Sequence, residues 1–272
     1  MTSFATVQPQ AALVFDQMAD EYDDVFTRSM IGRAQRDAVW RVLTRTFQSG
    51  EHVLELNCGT GEDALFLARN AISVTACDAS EQMIQVASNR MRTEAPGAPL
   101  QFNLLATEHL PALQSTTRFD GAFSNFSGLN CVADLKQTAK DLAALLSPNA
   151  SLLVCLSTRF CIWEMCWFLL HGKFRKAFRR CSGRATAKIG EFTVDVYYPT
   201  VRELQNLFAP SFVLSSCMGV GVTVPPSYVE TWISRHPKLL SLLRIIDKAI
   251  SNLPGFRVLG DHMLLHFKRV QA

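Results

Sequence analysis

The sequence predicts an α/β fold built on a mostly parallel sheet, and three observations carry that expectation. Between residues 50 and 157, apolar strand-like runs alternate with amphipathic helical stretches. That alternation is the order in which helices come to cover both faces of a parallel sheet. Residues 53–68 read VLELNCGTGEDALFLA: an apolar run, a glycine-containing turn, then a helix with Ala64, Leu65, Leu67 and Ala68 on its inward side. Finally, 272 residues at 48% hydrophobic content suffice for one large domain, or a domain with insertions, around a full core.

The first strand ends in Glu55, and the turn after it holds glycines at 59 and 61. Glycine lets backbone approach a bound molecule closely, and the free N–H groups of the first helical turn point at it. Residues 59–64 formally satisfy G-x-G-x-x-A, the turn that holds a dinucleotide pyrophosphate. Three carboxylates, Glu55, Glu62 and Asp63, would repel a pyrophosphate and suit a ligand carrying a sulfonium and an ammonium.

The pattern Glu55-x-Asn57-x-Gly59-x-Gly61 resembles motif I of the class I S-adenosylmethionine (SAM)-dependent methyltransferases, usually E/D-x-G-x-G-x-G. Asn57 stands where the first glycine is usual. Asparagine is among the residues that best tolerate positive φ, so the turn survives the change. The cofactor implied is S-adenosyl-L-methionine, with S-adenosyl-L-homocysteine as product. Residues 72–78 form a second strand ending in Asp78, 17 residues after Gly61. The acid that bonds a ribose lies at about this offset, roughly 20 residues on. Residues 78–83 are like the family's D-x-S-x-x-M/L, with Ser80 as helix N-cap and Met83 against the adenine. Residues 100–104 are a third strand. Residues 105–111 align with G-D-A-E-x-L-P, but Ala106 replaces the adenine-contacting Asp, so backbone near Thr107 must serve. Residues 118–126 resemble the fourth strand, and Ser124, Asn125 and Phe126 fall at its carboxyl end, where ligands of open α/β sheets sit.

A helix over 136–146, a turn at 147–149 and a strand over 151–156 follow the family pattern, with Asn149 and Ala150 replacing glycines. Residues 212–216 and 262–267 are the antiparallel hairpin that closes the family's sheet. The resemblance therefore implies a three-layer, Rossmann-like, seven-stranded and mostly parallel sheet with cap insertions. Upstream, residues 15–23 (FDQMADEYD) resemble the F-D-x-x-A-x-x-Y-D segment notable in quinone C-methyltransferases, a helix covering the cofactor. The cofactor-binding residues implied are Tyr22, Arg33, Glu55, Asn57, Cys58, Gly59 and Gly61, then Asp78, Ala79, Met83, Ala106, Thr107, Ser124 and Asn125. Arg33 or Arg36 would pair with the cofactor's carboxylate.

Two insertions interrupt this plan. Residues 160–170 read FCIWEMCWFLL, 11 residues with one charge, too short for the ~20 that span a bilayer. Residues 171–188 hold seven basic residues and no acid, while the remainder has 20 basic against 24 acidic. Phe174 and Phe178 lie one helical turn apart among Lys173, Arg175, Lys176, Arg179 and Arg180. One reading is a cap helix over the site, with Trp163, Trp167 and Phe168 as its roof and a solvated basic tail. The other is peripheral membrane contact through residues 160–184. Both imply an apolar substrate chamber, lined by Phe126, Trp163 and Trp167. A strand over 191–198, as one arm of a hairpin over the cap, and a helix over 199–209 follow. The second insertion, 224–258, carries helices over 227–235 and 238–251. Leu239, Leu240, Leu242, Leu243, Ile245, Ile246 and Ile250 make the latter apolar almost all round, which points to core burial ahead of a membrane or dimer face.

The domain plan is thus an N-terminal cap (1–45), a cofactor core (46–158), a cap insertion (159–198), more core (199–223), a helical insertion (224–258) and a final core strand (259–272). A sulfonium donor is already activated, so alignment and desolvation suffice and no catalytic constellation is required. Candidate bases are His109, His171, Tyr197 and Tyr198. Glu164 would bind an amine, titrate high, or form a structural pair. The eight cysteines show neither C-x-x-C nor zinc-like Cys/His spacing, so no metal is expected. A net charge of +3 is too small to argue a nucleic-acid partner, and no signal-peptide pattern is present. The expectation is a cytoplasmic, at most membrane-associated, monomer or homodimer that methylates a small, largely apolar acceptor. The alternatives are an NAD(P)-dependent oxidoreductase and a non-catalytic module of the same fold.

Overall fold

The computed structural model describes residues 9–113, 118–189 and 191–271. The first eight residues of the expected N-terminal cap and the side chain of Lys188 lie outside that description. Two helices, α1 (Gln10–Tyr22) and α2 (Met30–Thr46), come first. An alternating stretch follows: β1 (His52–Leu56), α3 (Glu62–Arg69), β2 (Ser73–Asp78), α4 (Glu81–Glu94), β3 (Leu100–Leu104), β4 (Phe119–Ser124), α5 (Leu135–Leu145) and β5 (Leu146–Ser157). Next are α6 (Ile162–Leu170), α7 (Phe174–Ala177) and the hairpin β6 (Arg184–Ile189) and β7 (Phe192–Tyr197). The chain finishes with α8 (Val201–Phe208), β8 (Phe212–Val220), α9 (Glu230–Ile233), α10 (Pro237–Ile250) and β9 (His262–Arg269).

Seven strands form one sheet in the order β3-β2-β1-β4-β5-β9-β8. The first five pair in parallel, whereas β9 runs antiparallel to both β5 and β8. Side chains alternate between the two faces, as the pleat requires. Leu54, Leu56, Ala122, Leu152, Val154, Leu265 and Phe267 face a core shared with α5 and α8. Val53, Val74, Ala76, Phe123, Leu153 and Leu264 face the opposite core, shared with α2 and α3. Near-continuous apolar strands are what a sheet covered on both faces demands. Three layers result, with the strand order reversing at β1 and β4.

Several expectations needed correction. Strand β5 begins at Leu146 because Phe119 pairs with Leu146 before the register jumps to Gly121 and Ser151. The expected turn is a bulge inside the strand, with Asn149 at φ +64°. The expected helix over 227–235 divides into a 3₁₀ turn, Ser227–Val229, and the short α9. Hairpin β6–β7 packs against α1 and the 3₁₀ turn Gly128–Cys131 instead of over the cap, and Asn130 Nδ2 donates to the Tyr197 carbonyl at 2.5 Å. Core burial does not hold for α10: Leu240 is 4% exposed, but Leu242 is 53% and Ile245 68%. Only one side of this helix meets the small core of Ile31, Ala34, Val224, Val229 and Ile233.

Candidate functional site

The turn after β1 twists through three left-handed residues at alternate positions: Asn57 (φ +54°), Gly59 (+53°) and Gly61 (+76°). Each has a different constraint. A side chain on Gly61 would strike Phe102 Cζ at 2.7 Å and the Ala87 Cβ at 2.9 Å, so this glycine serves close packing of the turn on α4 and β3. A Cβ on Gly59 would meet nothing within 4 Å, so this is where a ligand can approach backbone. Asn57 holds the strained position with side-chain bonds to Ser124 Oγ (3.2 Å) and Thr107 Oγ1 (3.2 Å).

Asp78, at the end of β2, closes the turn from the neighbouring strand. Its carboxylate accepts from Gly59 N at 2.8 Å and Ser80 N at 2.9 Å. Burial raises its pKa, and those two amides, with that of Ala79, pull it back. The turn, Asp78 and the carboxyl end of β4 border a cleft that is open to solvent. Helix α1 forms the other side with Ala12, Phe15 and Tyr22.

Helix α1 is clasped at its middle and just beyond its C-terminal end. Asp16 Oδ1 accepts from Ser80 Oγ (2.6 Å) and Gln82 N (3.0 Å), at the start of α4. Asp23 accepts from Thr60 Oγ1 (2.7 Å) and is ion-paired to Arg90. Ser80 simultaneously caps α4 by accepting from Met83 N.

The acids of the first turn of α3 are not free negative charges, which corrects the reading based on their repelling a pyrophosphate. Glu62 pairs with Arg33 at 2.8 Å and with Arg90 at 3.5 Å. Asp63 meets the buried Arg36 at 2.5 Å and also accepts from Trp40 Nε1 (2.6 Å) and Asn125 Nδ2 (2.9 Å). Burial works against the Arg36 charge, but Asp63 outweighs it and holds the guanidinium pKa above its usual value. Arg36 also lies over the Phe126 ring, 4.9 Å from its centroid. Glu55 is buried behind the turn at 1% exposure, and its Oε2 has no hydrogen-bond partner among the described residues. Burial lifts its pKa well above the carboxylate range, with Asp63 adding to the shift. Burial likewise pushes the Tyr22 hydroxyl up to about 12.

Of the residues named from sequence, Tyr22, Asn57, Cys58, Gly59, Asp78 and Ala79 border the cleft, as do Met83, Thr107, Asn125 and Phe126. Arg36, Glu62 and Asp63 border it too, and the others stand elsewhere. Glu55, Gly61, Ala106 and Ser124 form the layer behind the wall, and Arg33 is half-exposed in its pair with Glu62. Trp163 donates to the Thr223 carbonyl at 2.8 Å, and Trp167 packs on the small core under α10. Neither tryptophan borders the cleft, because α6 docks against the helical insertion. His171 is exposed, with Nδ1 2.7 Å from the Trp167 carbonyl. His109 and Tyr198 are also away from the cleft wall, and the Tyr198 ring lies under Arg180. Glu164 is fully buried and bidentate to Arg179 (2.7 and 2.9 Å), with Arg180 at 2.6 Å, so it has the structural-pair role. No group of residues fit to hold a metal occurs among the described residues.

Among the wall residues that escaped sequence reasoning are Phe15, Thr60, Gly128 and the pair Cys131–Val132. Phe15 belonged to a quoted segment and had a periodicity signal on α1. The others lie in loops whose position depends on the completed sheet. His262 was missed as well. It is buried at the start of β9, its ring edge-on to Phe126 at 5.4 Å, and Nδ1 lacks a hydrogen-bond partner among the described residues. Burial lowers its pKa, against the pull of Asp261.

Comparison with known proteins agrees with this geometry. A family described as a methyltransferase domain matches residues 53–149. The demethylmenaquinone methyltransferase of Clavibacter sepedonicus is 29% identical over 149 residues, 54% of this chain and 57% of that protein. The chain thus spans little more than half the length of this relative. Among solved structures, the [4+2]-cyclase SpnF covers 98% of both chains with a TM-score of 0.66 at 15% identity. A DhpI–SAH complex covers 98% of this chain and 100% of its own with a TM-score of 0.60 at 15% identity. Those two likenesses establish the fold, and the cyclase illustrates that this fold hosts more than one chemistry.

Proposed function

We propose that this chain, whose residues 53–149 match a methyltransferase domain, is a class I SAM-dependent methyltransferase that binds S-adenosylmethionine in the cleft and transfers its methyl group to a small, largely apolar acceptor. The observation that carries this reading is the open face of Gly59, held by Asp78, in a wall that continues through Met83 and Asn125. The residues present fit the cofactor. Asp78 retains acceptor capacity for a ribose diol beyond its bonds to the amides of Gly59, Ala79 and Ser80, and Met83 and Ala79 offer apolar contact for a purine. The orphaned Glu55 Oε2 lies behind the turn as acceptor capacity the protein itself leaves unused.

The cofactor supplies an electrophilic methyl on a sulfonium. This chain's residues supply position and dryness. Phe26 and Phe126 meet edge-on at 4.9 Å, and Phe126, Cys131 and Val132 give the part of the cleft beyond the β4 end an apolar character. An acceptor seated there loses its water and is aligned for in-line displacement. The quinone-methylating relative supports an acceptor of the same general kind, an apolar ring compound.

Calorimetric titration of the purified chain with SAM, S-adenosylhomocysteine and NADH tests the cofactor. Binding of the first two and not the third is the expected result. Binding of NADH alone would replace the reading with an oxidoreductase, and no binding by any of them would remove it. Transfer of labelled methyl from SAM to demethylated quinols, against none to polar amines, tests the acceptor class.

A further inference from the structure

We propose that the outer surface of the α6–α7 and α9–α10 cap is a docking face for an anionic membrane surface. Residues 160–180 and 227–251 contain three acids in all, Glu164, Glu230 and Asp247. Each is turned inward and consumed. Glu164 is locked by Arg179 and Arg180. Glu230 accepts from Met30 N (2.8 Å) and Ile31 N (2.9 Å), capping α2. Asp247 is buried and accepts from Thr223 N at 2.7 Å. The outer surface of these segments therefore carries no carboxylate.

What it does carry is cationic and apolar. Lys173, Arg175, Lys176, Arg235, Lys238 and Lys248 are all exposed. The same segments expose Leu170 (84% exposed), Ile245 (68%), Phe174 (64%) and Leu242 (53%). The two helix pairs are one body: Trp167 of α6 and Leu239 and Leu243 of α10 pack on the same small core, and Phe168 stacks on Tyr228 at 5.5 Å.

The pattern selects a lipid surface. Aliphatic tips such as Leu170 and Ile245 gain nothing from stacking on nucleobases but gain from an acyl layer, while the lysines and arginines meet anionic headgroups. Among the described residues, no helix is long and apolar enough to cross a membrane, so the contact is peripheral. This face is independent of the cleft and stands whether or not the cleft transfers a methyl group.

The test is sedimentation of the whole chain with phosphatidylcholine vesicles, with and without phosphatidylglycerol. Binding only to the anionic vesicles, weakened by salt, is expected. Each surface cation contributes about fivefold to such binding, so neutralising three of them should reduce it by roughly a hundredfold, and the charge-reversed Lys173→Glu/Arg175→Glu/Lys176→Glu should reduce it by more than that. Leu170→Ser/Phe174→Ser should weaken it at unchanged charge. Unaltered SAM titration and circular dichroism would certify that both variants are folded. Failure of the unmodified chain to bind anionic vesicles, equal binding to neutral ones, or wild-type binding by the charge-reversed variant would overturn the proposal. So would sizing that shows a dimer which Ile245→Asp splits without changing vesicle binding, because a second copy would then own the face.

Discussion

Arg36 of α2 and Asp63 of α3 meet at 2.5 Å with side chains only 5% and 6% exposed, so a buried ion pair forms part of the cleft wall. Removing one member of such a pair strands the other charge. Arg36→Met should destabilise the protein by about 3–5 kcal/mol, read as a lower urea midpoint. Adding Asp63→Asn should recover much of that, since the amide oxygen can still accept from Trp40 Nε1. A single-variant loss below about 1 kcal/mol would contradict the buried-pair account.

The two glycines of the turn should respond differently to alanine. At Gly59 the cost is the left-handed backbone alone, about 1–2 kcal/mol, and the new methyl projects into open space. Gly59→Ala should therefore fold and lose SAM affinity. Gly61→Ala adds collisions with Phe102 and Ala87, and overpacking costs a further ~1–3 kcal/mol. Its defect should appear mainly in thermal stability. Equal effects on both readouts would mean that Gly59 does not face the cofactor.

Asp78→Asn keeps the shape of the side chain but presents an amide where two carboxylate bonds stood. Hydrogen bonds to a charged acceptor are worth about 1.5–3 kcal/mol, so SAM affinity should fall roughly ten- to hundredfold. Calorimetry on Asp78→Asn with unchanged SAM affinity would exclude the ribose role.

Glu55 titrates against the fold. Its pKa in the folded state is raised well above the ordinary 4.5, so the folded chain holds a proton that the unfolded chain releases. Stability is therefore undiminished below the ordinary carboxylate pKa and declines as pH rises above it, until the folded pKa is passed. Glu55→Gln should leave stability near pH 4 unchanged and raise it at neutral pH. Urea midpoints across that pH range check the sign.

Much of the fold could be read from the chain because parallel strands buried on both faces leave a plain apolar record. Leu100–Leu104 lies where the sequence put the third strand, and β2 starts one residue later than expected. Glycine spacing and the offset of Asp78 located the turn, since both obey local backbone rules. Charge pairing was not legible: nothing in the spacing of Arg33, Arg36, Glu62 and Asp63 reveals that α2 lies against α3. Nor was the place of Trp163 and Trp167. An aromatic run has the same appearance whether it roofs a cleft or docks on a second insertion, and the choice depended on Val224, Val229 and Ile233, some 60 residues later.

Glu230 caps the first turn of α2 across 200 residues of sequence, while the same helix carries Arg36 to the cleft. During synthesis, the N-terminal wall of the site must therefore wait for one of the last helices to leave the ribosome before its own first turn is satisfied. Deleting the helical insertion to obtain a smaller protein would loosen the cleft from behind, without altering any residue in its wall.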